Sequence, residues 1–356
     1  MESEQQLIPG LPDEMARECL LRLPYTSFPA ARGVCNSWKQ ELHSNHFHRL
    51  RKPQTLLILS QAGPSRKLGA IKHPAAPAYR LTVFEPSSGS WSRLPPIPDF
   101  PDGLPLFCQV AGACRSVVVL GGWNPVTWDV SNNVYVYDFM SATWRRGARM
   151  PGPQRSFFGC ASDGETTVFV AGGHDDQKNA LRSALAYHVA GDEWVPLPDM
   201  ANERDECRGI FRRGRFHVIG GYSTEAQGDF QGSAECFDMA TSTWGPAEVL
   251  LDFGTCPRTC VAGDGGEMFM CSRAGRMMVR RGGTWDAVAQ LPDDARVCPY
   301  MMMWQAKVMV IGTKRHGGPY VAYMLETGDA NKYTWTAIDA VKDYAGHVQY
   351  GCCVEV

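Results

Sequence analysis

A tryptophan returns along this chain at a nearly constant interval, at Trp91, Trp144, Trp194, Trp244, Trp285 and Trp335, with successive spacings of 53, 50, 50, 41 and 50 residues. Such a period means one structural unit used repeatedly. The clearest copy spans residues 157–194. An apolar segment at 157–161 meets a polar turn at 162–165, and 168–171 runs into Gly172-Gly173. A long polar stretch follows, then 184–189 and a tight turn before Trp194. Short runs rich in β-branched and aromatic residues, bounded by Gly, Asp and Ser, read as strands. Residues 195–197 supply a fourth strand, ended by Pro198. Each unit is then a four-stranded antiparallel sheet of about 50 residues, and six tryptophans imply six units.

Two features accompany the tryptophan. An aromatic stands seven residues before it at Phe84, Tyr137, Tyr187 and Phe237, and a glycine pair precedes it at Gly121-Gly122, Gly172-Gly173 and Gly220-Gly221. A strand end that turns sharply beside neighbouring backbone needs residues tolerant of positive φ, and glycine adopts that conformation without steric cost. A large ring at one place in every unit can fill the seam with the next, a burial with a ceiling of about 4–6 kcal/mol. The set of strand, glycine pair, aromatic and tryptophan resembles the kelch repeat over roughly residues 54–356. The resemblance implies an all-β, six-bladed kelch propeller. The fifth copy departs from it, with Cys271-Ser272-Arg273-Ala274-Gly275 in place of the glycine pair, and the sixth shows only Ile311-Gly312-Thr313.

A chain of 356 residues exceeds one core of ordinary size, a limit that a propeller escapes by adding blades. With 20% charged residues and a net charge of −2, nothing points to a nucleic-acid surface. No early stretch joins basic residues to an apolar core and no apolar run approaches a membrane span, so neither a signal peptide nor a membrane segment is expected. The thirteen cysteines are odd in number, and many lie inside apolar segments, at Cys108, Cys160, Cys236, Cys260 and Cys353. They read as reduced core residues of a cytoplasmic or nuclear protein.

Residues 1–50 form a separate helical module ahead of a propeller at 51–356. Residues 1–6 are polar and expected to be disordered. Pro12, Asp13 and Glu14 suit a first helical turn, Met15, Cys19, Leu20 and Leu23 follow at helical spacing, and Pro24 ends the helix. A second helix is expected from Ser27 or Pro29, with Phe28, Ala31, Val34, Cys35, Trp38 and Leu42 as one stripe. Two such helices bury too little to stand alone, so they dock on the propeller or await a partner. The run LPDEMARECLLRLP followed by VCNSW resembles the F-box. That resemblance implies binding of the Skp adaptor, and through it the cullin and RING subunits of a ubiquitin ligase, with Leu11, Pro12, Leu20, Leu23, Pro24, Val34, Cys35 and Trp38 as contacts or core supports. The plainer alternative is a pair of helices that cap the propeller. His43, His46 and His48 match no zinc spacing and read as a solvated linker; no metal and no cofactor is expected.

The first strand near Gln54 matches the second strand of other copies, so its blade lacks an inner strand. Residues 350–356 look like the inner strand at 157–163, and the C-terminal strand is expected to complete blade one and close the ring, removing open edges.

Loops are lopsided. First-to-second and third-to-fourth turns are short, whereas loops after the second strand are long, at 61–80, 123–133, 174–183, 222–233 and 313–320. One face is trimmed and the other elaborated for binding. On the elaborated face Arg155, Arg204, Arg258 and Arg296 recur before the inner strands, placed to fork onto carboxylates of a protein partner or to pair with nearby acids such as Asp205, Asp293 and Asp294. Trp123, Trp128, Tyr222 and Phe230 read as anchors for a partner or as packing within their own loops, and His174 is placed with them on the substrate face. His174 and the Cys256 to Cys260 stretch bring titratable groups, yet no nucleophile elbow, His-Glu-x-x-His or phosphate loop occurs, so no catalytic residue is assigned. Together GLPDEMARECLLRLP, GLPLFCQ, RSFFGCASD, VAGGH, RDEC, FHVIGGY and HVQYGC resemble a plant subgroup of kelch F-box proteins. The resemblance implies a non-catalytic receptor that directs phenylalanine ammonia-lyase, or response regulators of cytokinin signalling, to ubiquitination and degradation. A kelch scaffold without ubiquitination is the reading from another class.

Overall fold

A computed structural model describes residues 6–63, 77–263, 265–327, 332–339 and 341–356. Six sheets of consecutive antiparallel strands follow one another, as the tryptophan count implies. The first sheet alone breaks chain order. Its inner strand is the C-terminal Val348–Glu355, paired antiparallel with Thr55–Ala62 from Thr55↔Glu355 to Gln61↔Val348. The ring is therefore closed by the last strand laid beside the first, as expected. Closure is tight at the axis: a Cβ on Gly112, in the inner strand of blade two, would lie 2.1 Å from the Cys353 carbonyl oxygen.

The seven-residue spacing has a plain cause. Phe84, Tyr137, Tyr187 and Phe237 stand directly opposite Trp91, Trp144, Trp194 and Trp244 across the third and fourth strands, so each pair is a cross-strand contact. The tryptophans do more than fill seams. Each indole Nε1–H donates to a carbonyl of the preceding blade: Trp144 to Pro95 at 2.9 Å, Trp194 to Ala148 at 2.8 Å, Trp244 to Pro198 at 2.6 Å, Trp285 to Leu250 at 2.7 Å and Trp335 to Gln290 at 2.8 Å. Trp91 completes the circle, donating to Asp339 of blade six at 3.2 Å. All six rings are half-buried, so their apolar contribution falls below the fully buried ceiling and the hydrogen bond fixes their orientation.

The core is divided among the seams. Between blades two and three, for example, Val118, Val136, Phe158, Val170 and Tyr187 pack together. The glycine pairs turn where expected, with φ of 62° and 89° at Gly121-Gly122, 67° and 82° at Gly172-Gly173, and 64° and 83° at Gly220-Gly221. At Gly173 a Cβ would lie 2.3 Å from the Ser156 carbonyl oxygen, so bare backbone is required as well as positive φ. Blades four and five are irregular: the outer strand of blade four is split into Thr243–Trp244 and Glu248–Val249, and blade five has an inner strand of only Val261–Ala262 and a short loop at 272–275 that accounts for the 41-residue interval. Blade six has four strands of 6 to 8 residues.

The N-terminal module contains α1 (Asp13–Leu21), α2 (Phe28–Arg32), α3 (Asn36–His43) and α4 (Asn45–Leu50). The expected second helix is thus broken. Gly33 ends α2, and Cys35, extended, caps α3 by accepting the Trp38 N–H on its thiol at 3.5 Å. His43, His46 and His48 lie in α3 and α4 rather than in a linker, because the Ser44 hydroxyl caps α4 by accepting the Phe47 N–H at 3.0 Å. Residues 1–5 of the expected disordered tail, and 64–76 of the first long loop, lie outside the described residues.

The module docks on the propeller. Leu20, Phe28, Ala31, Leu42 and Phe47 make its core, and Met140 of blade two completes it. Tyr25 meets Phe139 edge-on at 5.7 Å. Phe139 and Met140 occupy the turn between the third and fourth strands of blade two, which is on the trimmed face. The helices therefore sit at the end of the propeller opposite the long loops.

Candidate functional site

Two surfaces stand at opposite ends. On the helical module Leu20 is core at 1% exposed, whereas Val34 is 60% and Met15 58% exposed, large apolar side chains left on the surface of a very small unit. Pro12 and Pro24 are exposed, and Leu11, Leu23, Cys35 and Trp38 are half-buried. Trp38 supports rather than projects, its indole donating to the Leu7 carbonyl at 2.5 Å. Arg51 holds the end of α1, donating to the Leu21 and Leu23 carbonyls at 2.7 Å each, with its guanidinium over the Phe28 ring. Of the expected set, Leu20 is interior, while Pro12 and Val34 are outward with Met15, a residue the helical period placed but did not mark as surface.

At the other end a cavity of about 310 Å³ opens on the axis. Its aromatic wall includes Tyr79, Phe107, Trp128, Phe157 and Tyr350; Glu206, Arg208, Arg258 and His347 form the polar side. Phe107, Phe157 and Glu206 reach it from equivalent positions of blades two, three and four, each just before the inner strand. Each has left-handed backbone, with φ of 59°, 53° and 50°. Cys298 holds the corresponding place in blade six, with φ of 48°. Non-glycine residues in this region cost on the order of 1–3 kcal/mol and persist where surrounding structure imposes them. Here bridges from Leu106, Ser156 and Asp205 to Trp123, His174 and Tyr222 impose it.

The arginines expected to ring this mouth divide into two kinds. Arg155 and Arg204 are 1% and 2% exposed and cannot reach a partner. Each clasps its own blade. Arg155 donates to the Gly172 and Ser183 carbonyls at 3.3 and 3.2 Å and to Ser183 Oγ at 2.8 Å. Arg204 does the same with Gly220 and Ser233 and pairs with fully buried Glu235 at 3.1 Å, not with Asp205. Burial pulls the Arg155 pKa down to about 10. What recurs is an internal brace, because the carbonyls at the glycine turn need donors. Arg296 pairs with Asp293 at 2.5 Å and does not line the cavity. Arg258 is exposed and lines it. Its Nη2 donates to His347 Nε2 at 3.3 Å and to the Val348 carbonyl at 3.3 Å. His347 Nδ1–H then faces the Tyr79 hydroxyl at 2.9 Å. Burial, then Arg258, lowers the His347 pKa to about 4 and keeps the ring neutral.

The other expected residues serve mainly as supports. Trp123 donates to Ser156 Oγ at 2.6 Å and packs on Phe157. His174 Nδ1–H donates to Asp205 Oδ2 at 2.8 Å, tying blade three to blade four. Tyr222 is buried, donates to Glu206 Oε1 at 3.0 Å, and meets Phe230 edge-on at 5.4 Å. Tyr222 and Phe230 therefore pack within their own loop, whereas Trp128 lines the cavity. Sequence reading missed Phe107, Phe157, Glu206, Arg208 and His347. The aligned triplets Leu106-Phe107-Cys108, Ser156-Phe157-Phe158 and Asp205-Glu206-Cys207 carried the signal for the first three. Phe253, 78% exposed on the connection to blade five, was missed too.

Among the described residues no helix is long and apolar enough to cross a membrane, and no group of three or more His, Cys, Asp or Glu is placed to hold a metal ion. The F-box domain profile matches residues 8–50, and the kelch motif profile matches 107–151 and 154–201. The solved "Structure of YjhT" aligns with 79% of this chain and 97% of its own, at a TM-score of 0.57 and 13% identity, a likeness of fold alone. Two Arabidopsis thaliana proteins, F-box/kelch-repeat proteins At1g80440 and At1g15670, are each 45% identical to it over 99% of this chain and 100% of their own. F-box/kelch-repeat protein SKIP20 of the same plant is 35% identical over 82% of this chain and 73% of its own. With helices, closed propeller and full-length likeness in agreement, the chain belongs to the F-box/kelch-repeat protein family.

Proposed function

We propose that this chain is the substrate-recognition subunit of a Skp–cullin–F-box ubiquitin ligase, acting in the cytoplasm or nucleus and catalysing nothing itself. The observation that carries the reading is the placement of two unlike surfaces at opposite ends of one closed ring. At one end Pro12, Met15 and Val34 offer apolar contacts to a Skp-type adaptor, and with it the cullin and RING subunits. At the other, Phe107, Trp128 and Phe157 beside Glu206 and Arg258 offer an aromatic pocket with charge of both signs, suited to a protein surface. The work done is proximity: holding a target beside the ligase raises its effective concentration there.

Phenylalanine ammonia-lyase is the target we propose, on the resemblance of GLPLFCQ, RSFFGCASD and HVQYGC to the subgroup that directs that enzyme to degradation; the chain then restrains phenylpropanoid synthesis. The test is ubiquitin attached to the lyase in proteasome-inhibited plant cells expressing the intact chain or its Leu11→Ala/Pro12→Ala variant. We expect modified lyase with the first and little with the second, with the lyase bound to both. Binding to both without any modification would instead fit a scaffold. Recovery of cytokinin response regulators in place of the lyase would move the reading to that target.

A further inference from the structure

A second charged site lies on the trimmed face, between blades four and five. Arg212 ends the inner strand of blade four and Arg213 follows it in the turn, while Arg280 and Arg281 end the strand Arg276–Arg281 in blade five. They line a cavity of about 320 Å³ floored by the glycine turns Gly265-Gly266 and Gly282-Gly283. The fold holds these like charges together. Arg212 Nη1 donates to the Gly266 carbonyl at 2.6 Å, Arg213 Nη2 to the Gly265 carbonyl at 2.8 Å, and Arg281 Nη2 to the Tyr333 hydroxyl at 2.7 Å. A Cβ on Gly266 would lie 2.1 Å from Arg213 Nε, so glycine there lets the guanidinium lie across the turn.

Their charge is poorly answered. Among the described residues none of these four arginines is paired with a carboxylate; the nearby pair is Arg215 with Asp238 at 2.9 Å. Glu267 is the carboxylate in the lining. Arg280 Nε is shut off from solvent without a hydrogen-bond partner. Burial, then Arg213 and Arg280, lowers the Arg212 pKa, in keeping with crowded cations. Guanidinium forks match phosphate oxygens two at a time, and a phosphate carries more charge in less space than a carboxylate. Glycine turns without side chains let an anion approach the backbone.

We propose that this notch binds a phosphate group, carried by a phosphorylated protein segment or by a free phosphate compound. It faces the F-box end, so its occupancy is independent of the mouth. The test is calorimetric titration of the full chain, at constant ionic strength because exposed charges are screened, with pyrophosphate, a phosphoserine peptide and citrate. We expect saturable 1:1 binding of one of the phosphate probes, weakened about tenfold or more in Arg212→Gln/Arg280→Gln and unchanged in Phe157→Ala at the mouth. Tighter binding of the peptide assigns the site to a phosphorylated protein, and tighter binding of pyrophosphate to a free compound. If the double variant does not fold, exposed Arg281→Gln serves in its place, with an expected loss of about threefold. No saturable binding of either phosphate probe, binding indifferent to the folded arginine variants, or citrate binding as tightly as pyrophosphate would overturn the proposal.

Discussion

The two ends of the propeller solve the same problem, contact with another body, in opposite ways. At the trimmed end the contact is apolar and internal to the chain: Phe139 and Met140 at one turn of blade two meet Tyr25 and the F-box core. Equivalent turns in blades one, three and four carry Pro86-Ser87, Val189-Ala190 and Met239-Ala240. At the elaborated end no single turn dominates. Three blades each direct one left-handed residue, Phe107, Phe157 or Glu206, toward the axis. A fixed docking needs one good patch, whereas a mouth on a pseudo-symmetric ring is assembled from one residue per blade. The chain thus packs its helical module against one end and leaves an open aromatic cavity at the other.

The largest effect should come from breaking the ring on which both ends depend. Deleting residues 350–356 removes most of the strand paired with Thr55–Ala62, and we expect no cooperative thermal transition; a soluble, cooperatively melting truncation would contradict closure. Next are the arginines. Arg204→Ala leaves Glu235, 0% exposed, without its cation, and should cost about 3–5 kcal/mol in urea denaturation. Arg258→Ala at the mouth should change stability by no more than about 0.5 kcal/mol and act on target binding instead. Equal effects would erase the division between brace and binding residue.

Phe139→Ala should cost about 3 kcal/mol and loosen the F-box, seen as faster protease cleavage around residues 51–54 with the propeller intact. Acid should act on both ends. Burial lowers the pKa of His48, His217 and His347 from 6.5 to about 4, so the unfolded chain takes up protons that the folded chain refuses. Their contribution to stability is complete above about pH 6.5 and is lost as the pH falls toward 4. Melting temperatures across that window should decline, and less steeply in His217→Gln if it folds.

The architecture was legible because it is written as a period. Tryptophan interval, glycine pairs and the homology of 350–356 to 157–163 together gave blade number, turn positions and closure. Local breaks were not: Gly33 between two helical runs on one apolar stripe looks tolerable until Cys35 is seen capping α3. The site was legible only in part, since recurrence marks what every blade needs rather than what a partner touches. Arg155 and Arg204 recur because the carbonyls of Gly172 and Gly220 need donors. Phe107 and Phe157 carry a ring where Glu206 carries a carboxylate, yet all three share a left-handed backbone conformation, which residue type does not reveal.

The separation of the two ends is tested most directly by reciprocal binding, with the purified chain offered a Skp-type adaptor and phenylalanine ammonia-lyase in one assay. Val34→Asp should lose the adaptor and keep the lyase, while Phe157→Ala/Arg258→Ala should lose the lyase and keep the adaptor. Loss of both partners by either folded variant, or of neither by the mouth variant, would contradict an account in which one end serves the ligase and the other the target.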